Sequence, residues 1–399
     1  MRSSSILLAG GQAACLAACL VASTAAQAQA VPDKYELMWS DTFDGVVLDA
    51  GKWNFRKDTK SANGIVTAQV PSQVSLDGAN HMNIKLEKRN FGGASLVGGG
   101  IVSKEAFRYG YYEVAAKTPK DPAPQPNPTY GWHTAFWIFA GDGATTYVPS
   151  SVTEIDGFEI NSNTAGSISM GKIIWDNKTV IQSLNNRCLV NGKTYTPGWS
   201  SADDYHVYGI EWTEETISYY VDGSKVCSQA YPPTQRTHDR VNIWLTSIGY
   251  SANASAVTPA SFGPVAYYVR DYYIGNNEPG YAEYGSGWAD STLPGYSGLP
   301  SRYSCNKGAI ATWTPTVLAA GNYRVQVYRI ANAGSDTTAQ MTINYSGGTQ
   351  TLTTNFAAGT SGWVDLGVYP FAAGTQGSLM NTNSGAGCTR ASMVKFVRQ

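Results

Sequence analysis

From Tyr35 onward, apolar residues recur at every second position in short bursts, and no segment sustains the 3.6-residue apolar spacing of a helix. "HMNIKLEKR" (His81–Arg89), "GYYEVAAK" (Gly110–Lys117), "YHVYGIEWT" (Tyr205–Thr213) and "TISYYVDG" (Thr216–Gly223) all alternate. Alternation sends one set of side chains to a core and the other outward. Turn clusters such as "DPAPQPNP" (Asp121–Pro128) separate the bursts. Many short strands with frequent turns predict an all-β chain, a sandwich or barrel. Only 14% of residues are charged, while Gly, Tyr, Trp and Thr abound, which favours strands and turns over charged amphipathic helices.

The 399 residues are enough for two domains. A composition shift at "GNNEPGYAEYGSG" (Gly275–Gly287) reads as a polar, Gly/Pro-bearing linker crossed by few contacts. Beyond it, "AIATWTP", "GNYRVQVYRI", "AQMTINY", "GWVDLGVYPF" and "ASMVKFV" predict a second all-β unit. The expected division is a leader at 1–30, a first domain at 31–276 and a second at 279–399.

The leader is read from Arg2, the apolar stretch Ile6–Val21, and Ala26-Gln27-Ala28 or Ala28-Gln29-Ala30 as small-x-small cleavage sites. Export to the periplasm or medium is the expectation. "LAAC" at Leu16–Cys19 resembles a lipobox, and a lipid-anchored Cys19 is the alternative. Four cysteines follow the leader, two in each half of the chain. They can pair in three ways. The economical pairing within each half is Cys188–Cys227 and Cys305–Cys388, as an oxidising compartment allows. No Cys/His spacing suggests zinc. A net charge of −1 without any Lys/Arg run offers nucleic acid no electrostatic foothold.

"SVTEIDGFEINSN" (Ser151–Asn163) carries Glu154, Asp156 and Glu159. Glu154 and Asp156 share a face of a strand, but Glu159, five residues on, would face the other way. One extra residue at Gly157 or Phe158, a β-bulge, brings Glu159 back. Three carboxyls on one face suit glycoside cleavage, in which one attacks the anomeric carbon and another protonates the leaving oxygen. A solvated acidic edge or a calcium loop is the bland alternative. The dense rings of "TYGWHTAFWIF" (Thr129–Phe139) favour a sugar cleft, where aromatic faces stack on pyranose rings.

"EIDGFE" resembles the bulged E-x-D-x-x-E signature of glycoside hydrolase family 16, as in laminarinases, agarases, porphyranases and kappa-carrageenases. "LMWSDTFDG", "GGGIVSKEAFRYGYYEVAAKTP", "GWHTAFWIF", "YHVYGIEWTEETISYYVDG" and "VNIWLT" resemble further family segments in the right order. The resemblance implies a concanavalin-like jelly roll of two curved antiparallel sheets. It implies Glu154 as nucleophile, Asp156 as assisting acid and Glu159 as general acid/base. It implies Trp132, Trp137 and Trp244 as sugar-stacking rings, each with a core reading as the alternative, and His133 as a polar substrate contact. His206, in a strand near Trp212, reads as structural, although some family members aim that histidine at the site. Tyr267 stands where relatives often carry a calcium-binding Asp, so no cofactor or metal is expected.

Residues 279–399 resemble the golvesin C-terminal-like module found on xanthan-degrading lyases, an accessory β-sandwich that is either glycan-binding or a spacer. Together these readings describe a monomeric retaining endo-β-glycosidase acting on a polysaccharide. The first-choice substrate is a β-1,3- or mixed-linkage glucan; a red-algal galactan is the alternative. A transglycosylase would share the covalent intermediate. A lectin on the same jelly roll would usually lose one of the acids, and all three are present.

Overall fold

The computed structural model describes residues 31–62, 64–120, 131–141, 151–176, 179–180, 186–236, 240–251, 256 and 258–399. The leader at 1–30 and the turn cluster at 121–128 lie outside these residues. The alternating segments fold as read. Gly110–Lys117, His206–Trp212 and Thr216–Val221 are strands, while "HMNIKLEKR" breaks into Met82–Ile84 and Glu87–Phe91.

Among the described residues, two sheets make the first unit. An eight-stranded sheet runs Ser224–Ala230, Thr216–Val221, His206–Trp212, Gly110–Lys117, Ala260–Val269, Met82–Ile84, Val74–Leu76, with Glu36–Asp41 also on Ala260–Val269. A ten-stranded sheet has Ser169–Asp176, Ser151–Asn161, Trp132–Phe139, Asn242–Gly249 and Ala94–Ser103 in its middle. Phe136, Ile155 and Phe158 of the larger sheet and Val114, Tyr208 and Ile210 of the smaller are fully buried together. Phe158 lies 4.4 Å from Tyr208 across the gap. This is the expected sandwich, and burial of its interior apolar set drives the sheets together.

Behind it, three further sheets of four, five and three strands enclose Trp313, Val325, Met341 and Phe396. Both expected disulfides are present, Cys188–Cys227 and Cys305–Cys388. Among the described residues no helix is long and apolar enough to cross a membrane.

The expected linker is corrected. Tyr281–Tyr284 inside it is a strand, and Glu278 pairs with Arg108 at 2.8 Å. Tyr272–Ile274, expected in the first domain, pairs antiparallel with Val394–Arg398 near the C-terminus. The halves also meet through Tyr109 and Tyr296, whose hydroxyls are 2.7 Å apart, and through Arg398 on Glu36 at 2.7 Å. Glu214 of the first half is buried against the second. It accepts from Lys395 Nζ at 2.6 Å and Trp363 Nε1 at 2.7 Å, both from the C-terminal unit. Tyr273 and Arg236 add to the same carboxylate at 3.2 and 3.3 Å. Such contacts come from residues far apart in sequence, each unremarkable where it stands.

Tyr267 occupies the calcium-ligand position as a buried ring, stacked 4.2 Å from Phe107. Its hydroxyl donates to the Tyr109 carbonyl at 2.8 Å, so this position supplies no carboxylate to a cation.

Candidate active site

The bulge lies at Gly157. On one side, Phe136 pairs with Phe158 and the next residue, Trp137, with Asp156, so Gly157 has no cross-strand partner there. On the other side, Glu154, Asp156 and Glu159 face Ile173, Gly171 and Ser169. A step of three on the acidic strand thus matches a step of two on its neighbour. All three acids share the outer face, while Ile155, Phe158 and Ile160 turn into the core.

Glycine at 157 is required by packing rather than by an unusual backbone angle. A Cβ there would stand 2.6 Å from the Phe136 ring and 3.0 Å from Ile210. Gly157→Ala should therefore cost about 1–3 kcal/mol through overpacking. Thermal denaturation measures this, and adding Phe136→Leu should restore part of the loss.

Each acid has a distinct setting. Glu154 Oε2 accepts from Trp175 Nε1 at 2.7 Å. Asp156 is 5% exposed. Burial, then the charges of Glu159 and Glu154, push its pKa well up, with Arg187 opposing. Glu159 Oε1 lies 3.2 Å from His133 Nε2. Tyr250 stacks on the His133 ring at 4.1 Å, and burial, then the charges of Glu159, Asp156 and Glu154, hold its phenol well above the usual range, with Arg56 opposing.

The raised Asp156 pKa has a sign for stability. Between the ordinary Asp value and its folded value, the native state holds a proton that the unfolded state has released. Stability is then full below the ordinary value and falls as pH rises through the folded one. Asp156→Asn should flatten that decline while lowering activity. Denaturant titrations of both proteins across pH test it; parallel slopes would contradict the assignment.

The aromatic expectations divide. Trp137 lies on the outer face opposite Asp156 and stacks on Trp244 at 4.6 Å. Both rings sit beneath the Arg56 guanidinium, 5.8 and 5.4 Å away, and Asp58 holds that guanidinium bidentately at 2.6 and 2.8 Å. Trp244 is largely covered, its Nε1 donating to the Phe139 carbonyl at 2.9 Å. Trp132 is corrected: at 1% exposure it belongs to the core, because strand alternation sets it opposite in face to Trp137. His206 lies on the other sheet, 2.8 Å from Asp222 and stacked on Trp199.

Sequence reasoning missed Tyr250, Trp175, Arg56 and Asn161. Parity held a signal for three of them. Tyr250 continues the Trp244, Thr246, Ile248 face, Asn161 continues Glu159, and Trp175 follows Gly171 and Ile173.

Comparison with known proteins gives the family. The family model "Glycosyl hydrolases family 16" matches residues 52–251, and "Golvesin C-terminal domain" matches residues 273–398. The chain is 27% identical over 221 residues to a glucan endo-1,3-beta-glucosidase A1 of Niallia circulans, covering 50% of this chain and 30% of that protein. It is 29% identical over 181 residues to a beta-glucanase of Acetivibrio thermocellus, covering 45% of this chain and 46% of the relative. It is 27% identical over 211 residues to beta-porphyranase E of Zobellia galactanivorans, covering 46% and 65%. The chain thus spans less than two thirds of each of these relatives. Among solved structures, an endo-1,3-beta-glucanase from Streptomyces sioyaensis superposes with a TM-score of 0.46 at 17% identity, covering 60% of this chain and 98% of that one. With its bulged acidic strand inside a match that spans half of its length, the chain belongs to glycosyl hydrolase family 16 and carries a golvesin C-terminal domain behind the sandwich.

Proposed function

We propose that this protein is an exported endo-β-glycosidase that cleaves a polysaccharide with retention, as a monomer and without a cofactor. The observation that carries the reading is the Gly157 bulge, which lines up Glu154, Asp156 and Glu159 on one face. Glu154 attacks the anomeric carbon as Glu159 gives its proton to the departing glycosidic oxygen. Water then gives a proton to Glu159, and the hydroxide attacks the same carbon and frees Glu154. Asp156, buried between them with a raised pKa, is suited to share a proton with its neighbours as their charges alternate. Trp137 offers a ring for sugar stacking, with Trp244 packed beneath it. The two disulfides suit an oxidising compartment.

A β-1,3- or mixed-linkage glucan is the first-choice substrate, supported by the glucanase relatives; the porphyranase relative supports a red-algal galactan as second reading. Reducing-end release from laminarin, lichenan, agarose, porphyran and carrageenan tests both. NMR of the fresh product should show the β-anomer first. An α-anomer would refute the two-carboxylate double displacement, and inertness toward every polymer would refute the enzyme.

A further inference from the structure

His133, expected to touch substrate, is engaged inside the protein instead. It is 7% exposed. Nδ1 lies 3.0 Å from Asn161 Oδ1, and Nε2 lies 3.2 Å from Glu159 Oε1. One ring face is covered by Tyr250, stacked at 4.1 Å and 3° from parallel. Both nitrogens and one face are thereby occupied, which leaves little of the imidazole for a sugar hydroxyl.

The local fold explains the contact. His133 pairs across the strands with Asn161, and the residue opposite Glu159 is Ala135, whose methyl cannot restrain a carboxyl. The diagonal neighbour on that face is His133, within reach of a long side chain. Neutral imidazole donates from one nitrogen and accepts at the other. A half-turn of the Asn161 amide presents its NH2 to Nδ1, so Nδ1 accepts and Nε2–H donates to Oε1, which leaves the transferable proton on Oε2.

We propose that His133 is a positioning residue for Glu159, holding Oε1 so that Oε2 is the oxygen that exchanges the proton with the glycosidic oxygen. The proposal rests on the reading of Glu159 as acid/base. His133 itself neither gains nor loses a proton in that step. Proton passes from Oε2 to the leaving oxygen, the C1–O bond to that oxygen breaks, and Glu154 closes its own bond to C1. Rotation of a carboxyl away from that line costs rate without costing binding, because the acid is needed only as the bond breaks.

The test compares leaving groups. Phenylalanine at this position keeps a ring against Tyr250 but removes both nitrogens. His133→Phe should lower kcat/KM on the polymer that the wild type cleaves by about 10–100-fold, a fraction of a full general-acid effect. On a dinitrophenyl β-glycoside of the same oligosaccharide, the leaving group departs unprotonated. There the loss should stay within about threefold. His133→Gln, whose amide can still donate to Oε1, should recover part of the polymer activity; should His133→Phe fail to fold, its smaller loss must likewise be confined to the polymer. Equal losses on both substrates would reduce His133 to a structural role and overturn the proposal, as would an unchanged polymer rate. Wild-type protein inert on every polymer would instead overturn the reading of Glu159 on which the proposal stands.

Discussion

Glu154→Gln and Glu159→Gln should each lower turnover on the preferred polymer by at least about 10³-fold, since one removes the nucleophile and the other the transferable proton. The two losses differ in kind. Without Glu154 no covalent intermediate forms, so every substrate suffers. Without Glu159 only protonation of the leaving group fails in the first step, so a dinitrophenyl glycoside should still glycosylate Glu154, releasing dinitrophenolate, and then stall. Burst kinetics separate the cases: a burst with Glu159→Gln, none with Glu154→Gln. Neither side chain enters the core, so both proteins should fold with near wild-type melting temperatures. A purified Glu154→Gln protein with normal turnover would remove the proposed site outright.

What could be read from the sequence follows from how local each determinant is. The bulge was legible because an odd offset between acids conflicts with strand period two, and one inserted residue resolves it. Its position at Gly157 was within the two candidates, but the reason was not legible: the Phe136 ring that fills the glycine's place arrives from the neighbouring strand. The face of Trp132 was legible from strand parity. Trp132 and Trp137 are five apart on a strand whose pairing with Asn242–Gly249 is continuous, so only one of them can face the acids. His133, four from Trp137, is the residue that shares its face. The disulfides were legible because the four cysteines divide evenly between two units, each with its own sheets. The seam between the units was not. Glu214 and Lys395 are 181 positions apart, and nothing near either one marks it as buried.

That seam makes removal of the C-terminal unit destructive. Glu214 and Lys395 are each 8% exposed, and an ion pair so placed is costly to split because the surviving charge stays buried. Burial pushes the Glu214 pKa up, but the hydrogen bond and charge of Lys395, the Trp363 bond and Arg236 outweigh it, and the net shift is downward. Its stabilisation is therefore present above the ordinary Glu value and lost as pH falls through the folded one. Lys395→Met should cost about 3 kcal/mol, the low end for a broken buried pair, because Arg236 remains within 3.3 Å of the carboxylate. Adding Glu214→Gln should cost less than the sum of the single changes, since the stranded charge is gone. A chain ending at Asn277 goes further. It removes Lys395 and Trp363 together, strips the pairing partner from Tyr272–Ile274, and uncovers Tyr109 and Tyr273. An unpaired strand beside a bared aromatic patch is a template for association. The truncated protein should be insoluble or aggregated, and the melting of the full chain should be a single transition by calorimetry and by near-UV circular dichroism. Monomeric truncated protein that cleaves soluble oligosaccharides at the full-length rate would show that the contacts across the seam are dispensable. Such a result would return the C-terminal unit to the role of a separable appendage, whose contribution could then lie only in holding the enzyme on insoluble polymer.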